Sequence, residues 1–306
     1  MLTVIMVLCA IFLDFLLGEP RRRHPLAGFG YVASRLERRF YPPTGRSPGH
    51  FLFAGLLAWL LLVLPLVGLS LWLADQAAIG VVLSIVILYL ALGGQSLAEH
   101  AQTVQAALEA DNLRYARERV GMMVSRDTRE LDATGVCRAA IESVLENGND
   151  AVFGVIFWFV LLGLPGVVLY RLSNTLDAMW DYRNVRYIYF GRAAARFDNV
   201  LNWVPARLSA LTYVLVGWAW RHMGTWAAQA RQWQGHNAGW VMACGAGGMG
   251  LKLGGPVVDH GRVEQRPWLG QGMAPTPGDI GRSVRFLQQG LWLWLGVLFL
   301  GGWLSA

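Results

Sequence analysis

Glu142, Glu146 and Asp150 stand four residues apart in the stretch ESVLENGNDAVFGVIFWFVLLGLPG, residues 142–166, and the sixteen residues after Asp150 carry no formal charge. On a helix each step from i to i+4 turns about 40° and climbs about 6 Å, so the three carboxylates would form an acidic ridge roughly 12 Å long. Like charges at this spacing repel, and charge beside a bilayer is costly. A bound cation or cationic substrate would offset both. Mg2+ accompanied by phosphates is the natural occupant, because it takes one or two carboxylates and keeps several waters. The alternative is a solvated ridge, or acids that meet the dipole at the start of the next helix.

Polar side chains recur at similar apolar edges. YRLSNTLDAMWDYRN holds Arg171, Asn174, Asp177 and Asp181, and ARFDNVLNWVPARL holds Arg196, Asp198, Asn199, Asn202 and Arg207. Asn174 and Asp177 share a helical face, as do Asp177 and Asp181. Asn199 and Asn202 suit either a ligand or hydrogen bonds between packed helices. The glycine-dense run QGHNAGWVMACGAGGMGLKLGG contains Asn237 and Lys252, the only lysine of the chain. Its glycines would serve backbone approach to an anion or close helix packing. No G-x-x-x-x-G-K-[ST], no G-x-G-x-x-G after a strand and no H-E-x-x-H occurs, so a nucleotide would be held without a common phosphate loop.

The elements that must position these residues follow from composition. The chain is 55% hydrophobic and 15% charged, with a mean hydropathy of +0.39, which excludes an ordinary soluble domain and points to a polytopic membrane protein. Residues 51–73, 77–94, 151–170 and 286–305 carry no charge, and 1–17 carries only Asp14. A span needs about 20 residues, so 51–73 is the clearest of them, whereas 208–220 is short and reads as a buried helix or a re-entrant piece. The first run lacks a basic n-region and an A-x-A-type site, and reads as an uncleaved first helix. Cys9, Cys137 and Cys244 are odd in number and form no C-x-x-C, so neither a disulfide framework nor a zinc site is expected.

Charge sets the orientation. Between residues 19 and 50 lie Arg21, Arg22, Arg23, Arg35, Arg38, Arg39 and Arg46 against Glu19 and Glu37, which places this loop in the cytoplasm and the N-terminus outside. The polar stretch 95–150 then returns to the cytoplasm. It holds ten acids against six arginines, a balance of −4 in a chain of +6, so it is no basic surface patch and no nucleic-acid partner is expected. If 151–170 crossed fully, Arg171, Arg183, Arg186, Arg192, Arg196 and Arg207 would lie outside. The conflict disappears if GLPG at 163–166 breaks the run so that it dips in and returns. Within 95–150, Leu97, Val104, Ala107 and Leu108 space one apolar face. Asp111-Asn112 reads as a cap before 113–124, and a second helix from about Asp132 turns Val136, Ile141, Val144 and Leu145 inward. The fold expected is an all-α, polytopic integral membrane helical bundle with cytoplasmic helical segments and an optional re-entrant hairpin. It forms a single integral membrane domain over 1–306, with 95–150 as a cytoplasmic segment within it.

LDFLLGEPRRRHPLAGFG, SRDTRELDATGVCRAAIESVLENGNDAVFG, LYRLSNTLDAMWDYRNVRYIYFGRAAARFDNVLNWVPARLSAL and HNAGWVMACGAGGMGLKLGG occur in the order and at about the intervals seen in a known family. From Asp14 to about Asp279 the chain resembles the cobalamin-biosynthesis adenosylcobinamide-phosphate synthases, the CobD/CbiB family. It departs from the family pattern at Glu19, usually Asp; at Ser125, usually Gly; and at Gly148-Asn149, usually Thr-Ser. The acids themselves survive.

The resemblance implies a multi-pass enzyme of the bacterial inner membrane with its active site facing the cytoplasm. It would join adenosylcobyric acid to (R)-1-aminopropan-2-ol or its O-phosphate through an amide bond, consuming ATP with Mg2+. Carried onto these motifs, it implies Asp127, Glu142, Glu146, Asp150 and Asp177 as catalytic residues, with the metal on Glu142, Glu146 and Asp150. Substrate and nucleotide would be bound by His24, Arg126, Thr128, Arg138, Asn147, Arg171, Asn174, Asp198, Arg207, Asn237 and Lys252. Arg126, Arg138 or Arg171 would sit on phosphate oxygens, and Asp127 or Asp177 would hold the amine and accept its proton. His24 would contact phosphate or close a turn. Trp180, Tyr182, Trp203 and Trp240 offer flat surface for a corrinoid, or mark the membrane interface. Partners are the lipid membrane, and a second copy of the chain or other membrane enzymes of cobalamin assembly. Two rival functions stand beside the synthase. One is a sensory membrane relative, against which the retained E-x-x-x-E-N-x-x-D run argues. The other is a corrinoid transporter, for which inverted repeats would be needed and none is found.

Overall fold

A charge-free run in lipid can satisfy its backbone only within itself, which makes it a helix. The computed structural model describes residues 1–20, 24–43, 45–180, 185–259 and 262–304. Arg21, Arg22, Arg23, Asp181, Tyr182 and Arg183 lie outside the described residues. In chain order the helices are α1 (Leu2–Leu17), α2 (Pro25–Phe40), α3 (Pro48–Ala74), α4 (Ala77–Ala91), α5 (Gly94–Glu109), α6 (Leu113–Val120) and α7 (Ala133–Gly148). They continue with α8 (Gly154–Met179), α9 (Arg192–Leu201), α10 (Trp203–Val216), α11 (Met223–Gln232), α12 (His236–Gly248) and α13 (Pro277–Leu304). Among the described residues four stretches, Pro48–Ala74, Ala77–Glu109, Ala133–Met179 and Pro277–Leu304, are long and apolar enough to cross a membrane, and the chain is a mostly helical, polytopic membrane protein. α1 and α10 are apolar but shorter.

Among the described residues two small antiparallel pairs join the helices: β1 (Leu253–Gly254) with β4 (Trp268–Leu269), and β2 (Val257–Asp259) with β3 (Arg262–Glu264). Strands of two or three residues leave no alternation to read, which is why the sequence does not announce them. The chain divides into two compact units, Met1–Gly93 with Gly154–Trp203, and Gly94–Phe153 with Val204–Ala306.

In the first unit α3 packs on α8 and α9, and α1 packs on α4. Trp59 stacks on Phe197 with ring centroids 3.8 Å apart, over a core of Ala58, Val63, Leu176, Trp180 and Phe190. Within α8, Gly163 takes φ 66° and ψ −148°, followed by Pro165. That backbone region is essentially restricted to glycine. A Cβ on Gly154 would overlap the Tyr170 hydroxyl, and one on Gly166 would overlap the carbonyl of Trp158. In an unbroken helix residues 154 and 170 would stand about 24 Å apart along the axis. The chain therefore reverses at Gly163 and lays one arm back on the other. The break expected at GLPG is thus present as a reversal of the backbone at Gly163, within the longer apolar stretch Ala133–Met179.

The turn gives a prediction. Gly154→Leu is expected to destabilise the protein by about 1–3 kcal/mol through overpacking against Tyr170, and Gly163→Val by a similar amount through backbone strain. Gly28→Ala, where a Cβ meets open space, serves as a neutral control. Denaturant titration in detergent micelles reads all three, and wild-type stability for Gly154→Leu would remove the close approach of the arms.

In the second unit the caps fall where side-chain chemistry puts them. The Asn112 side chain accepts from the Tyr115 N–H at 3.0 Å, and Asp132 accepts from the Gly135 N–H at 2.7 Å. α6 ends at Val120, short of 124, because Thr128 turns back to donate to the Arg117 carbonyl at 2.9 Å. Val136, Ile141, Val144 and Leu145 are fully buried, as their spacing requires. The glycine-dense run becomes α12 and the chain entering β1. Gly245 lies against Leu145, and Gly247 against the Trp226 indole, so here glycine serves close packing. Burial pushes the Cys244 thiol up to about 12, which leaves little reactive thiolate at neutral pH. Cys9, Cys137 and Cys244 are all free thiols.

Candidate functional site

α7 is buried on nearly every side, and this decides the fate of its first acid. Glu142 is 4% exposed, and a carboxylate so placed costs several kcal/mol unless it is paired and hydrogen-bonded. Both requirements are met. Glu142 Oε2 accepts from Arg126 Nη2 at 2.5 Å, and Oε1 accepts from the backbone N–H of Gly254 at 2.8 Å. One side chain thereby ties together α7, the loop 121–132 and β1. The loop is braced further by Arg117 Nε donating to the Leu131 carbonyl at 2.6 Å and by Ser143 Oγ donating to the Met123 carbonyl at 2.9 Å. Asn147 Nδ2 donates in turn to Ser143 Oγ at 2.8 Å.

The next two acids behave differently. Glu146 is exposed and Asp150 is half-buried. Residues Asn149–Phe153 form a π-helical turn, which has more residues per turn than an α-helix and shifts Asp150 out of register. Asp150 accepts from Asn149 Nδ2 at 2.8 Å, and Asn149 Oδ1 accepts from the Ser209 hydroxyl at 2.8 Å. The single ridge expected from i, i+4, i+8 spacing is therefore not formed. Glu142 points into the protein, and among the described residues no group of three His, Cys, Asp or Glu converges on one point. The donor set fits Mg2+ held by one or two carboxylates with phosphate and water, and does not fit a three-carboxylate cage.

Around this core the second unit gathers basic and aromatic groups. Arg138, one turn before Glu142, places Cζ 4.9 Å from the Trp268 ring centroid, and Lys252 Nζ lies 4.2 Å from the same centroid. Arg207 Nη1 donates to Asn237 Oδ1, and its guanidinium lies 5.8 Å from the Trp240 ring. Thr128 is buried and braces the loop, while Asp127 accepts from Arg129 Nη2 at 2.6 Å and from its backbone N–H at 3.0 Å. Trp268 joins these cations although no motif marks it. Its only linear signal is an indole inside the polar stretch EQRPWLG.

The first unit holds the other candidates. His24 Nδ1 accepts from the Leu26 N–H at 3.2 Å and caps α2, which is the turn-closing alternative. Arg171 Nη1 donates to Asn174 Oδ1 at 3.3 Å, and Asn174 Nδ2 donates to Asp198 Oδ1 at 3.2 Å. Asn202 donates to both Asp198 oxygens at 3.3 Å and accepts from the Tyr170 hydroxyl at 2.7 Å. This is a continuous polar chain between α8 and α9. Asn199 donates to the Ala195 carbonyl within its own helix, and Asp177 is half-buried on α8. Trp180 is buried in the core and offers no open face, whereas Trp203 is exposed; Trp240, in the second unit, is half-buried.

A family model described as CobD/Cbib protein matches residues 7–287. A Chromobacterium violaceum protein named cobalamin biosynthesis protein CobD is 54% identical over 288 residues, covering 93% of this chain and 92% of its own length. A Stutzerimonas stutzeri protein of the same name is 53% identical, covering 98% of each chain, and one from Mycobacterium tuberculosis is 38% identical, covering 91% and 89%. No solved structure matches the chain.

Proposed function

Because the chain belongs to the CobD/Cbib family, we propose that it is the adenosylcobinamide-phosphate synthase of cobalamin biosynthesis. The reaction joins a carboxyl group of adenosylcobyric acid to (R)-1-aminopropan-2-ol or its O-phosphate, with ATP consumed. The geometric observation that supports this best is the buried Glu142, paired with Arg126 and bonded to the N–H of Gly254, whose strand partner Trp268 carries Arg138 and Lys252 on its ring.

A carboxylate is a poor electrophile, so it must first take a phosphoryl group from ATP, releasing ADP. That step gathers negative charge, which Arg126 and Arg138 are suited to receive through charge-assisted hydrogen bonds. Among the described residues Arg126 commits one donor to Glu142 and keeps its other donors for phosphate oxygens. Mg2+, when bound through Glu146 and Asp150, supplies neutralisation of the phosphate charge. The amine nitrogen then forms the C–N bond, phosphate departs with the C–O electron pair, and the amine proton passes to a carboxylate, Asp127 or Asp177. We place the site on the cytoplasmic side, following the arginines of the 19–50 loop. On that reading the reversal at Gly163 would carry Arg171 and the arginines after it back toward the side from which the apolar run entered.

The test uses purified protein with adenosylcobyric acid, ATP, Mg2+ and each amine in turn. Amide product is expected only with ATP and Mg2+, and the preferred amine identifies itself by its kcat/KM. Corrinoid uptake into proteoliposomes without ATP and without amide formation would replace the synthase by a transporter; no turnover and no uptake would leave a sensory role.

A further inference from the structure

Two positive side chains approach one exposed indole: Arg138 at 4.9 Å and Lys252 at 4.2 Å from the Trp268 centroid. Like charges brought to one ring repel, so the arrangement calls for an anion. Among the described residues neither cation takes part in an ion pair, whereas nearby Arg126 is matched by Glu142. Arg138 Nε is buried with no hydrogen-bond partner, an orphan donor in a protein whose buried donors are otherwise mostly satisfied. The indole is held in place by backbone. Trp268 lies in β4, paired with Gly254 of β1, and a Cβ on Gly255 would overlap its six-membered ring. Gly254 and Gly255 have φ of 69° and 79°, so glycine is required there for conformation as well as for space. Gly254 in turn is fixed by its N–H bond to Glu142.

We propose that Arg138 and Lys252, positioned by Trp268, form a binding subsite for a phosphate ester or polyphosphate group, with Trp268 as the positioning residue. This rests on the synthase reading for the identity of the ligand, which is either ATP or the O-phosphate of the amine; the anion chemistry is shared. An exposed indole orders the two long side chains through cation–π attraction, and it does so while leaving their outward N–H groups for the ligand. Phenylalanine preserves a ring face at that position, and leucine does not.

The experiment compares wild type with Trp268→Phe, Trp268→Leu and Lys252→Gln in the full-length protein. Binding of pyrophosphate, ATP and aminopropanol O-phosphate is measured by equilibrium dialysis, with no turnover required. Trp268→Leu and Lys252→Gln are expected to weaken at least one of these ligands about tenfold, and Trp268→Phe to stay within about threefold of wild type. In turnover, KM for that ligand should rise while kcat holds within about threefold, and KM for unphosphorylated aminopropanol should not move. If ATP is the ligand affected, the subsite serves the nucleotide; if aminopropanol O-phosphate, it serves the amine. Unchanged affinities in Trp268→Leu, or a wild type that binds none of the three anions, would overturn the subsite. Anion binding that is lost in the variants, in a protein that makes no amide, would retain the subsite and overturn the synthase.

Discussion

Glu142→Ala is expected to lose amide synthesis and about 3–5 kcal/mol of stability together. The carboxylate satisfies Arg126 and the Gly254 N–H at once, and both partners are left behind in a region where water does not replace it: the Glu142 and Arg126 side chains are 5% and 12% exposed. Glu142→Gln retains an oxygen for Gly254 but leaves the guanidinium charge unmatched, so it should recover only part of the stability. The double variant Arg126→Met with Glu142→Met separates the two losses. Two apolar side chains of similar length remove the unpaired charge and should restore most of the stability, short of wild type by the roughly 1–3 kcal/mol of the Gly254 N–H left without its acceptor. Activity should stay lost, because the proposed phosphate-binding guanidinium has gone. Denaturant titration and product formation on the same preparations check this, and a stable, active Glu142→Ala would mean that the pair positions nothing.

Glu146→Gln and Asp150→Asn are each expected to lower turnover by at least about a hundredfold, the scale on which removal of one electrostatic stabiliser acts. Here the protein should remain folded in the membrane. Glu146 is exposed, so its substitution should fall within about 0.5 kcal/mol of wild type. Asp150→Asn keeps an oxygen that accepts from Asn149 Nδ2 and loses only the charge, so it should cost no more than about 1 kcal/mol. The distinguishing measurement is the Mg2+ dependence of the residual rate. Carboxylates that hold the ion should shift the half-saturating Mg2+ concentration upward when they become amides, whereas a merely solvated pair would leave it in place. Wild-type turnover in both variants would remove these acids from the mechanism.

Much of the architecture was legible in the residues. Local rules govern charge-free runs, caps and breaks. The run 51–73 lies within Pro48–Ala74, Asn112 and Asp132 cap the helices they precede, and GLPG marks the reversal at Gly163. The ends of helices were less legible where a side chain from elsewhere intervened, as Thr128 does at the end of α6.

The candidate site was legible in kind but not in arrangement. The sequence alone determined a membrane bundle, the acids and arginines proposed for the chemistry, and the family, because composition, spacing and motif order are properties of the linear chain. Only the tertiary structure decided that Glu142 turns inward to Arg126 and Gly254, that a π-helical turn separates Asp150 from the ridge, and that Trp268 meets Arg138 and Lys252. The physical reason is sequence distance. Residues 126, 142, 254 and 268 are drawn together by packing and by the need to neutralise a buried charge, and no period of 3.6 or 2 records contacts made more than a hundred residues apart.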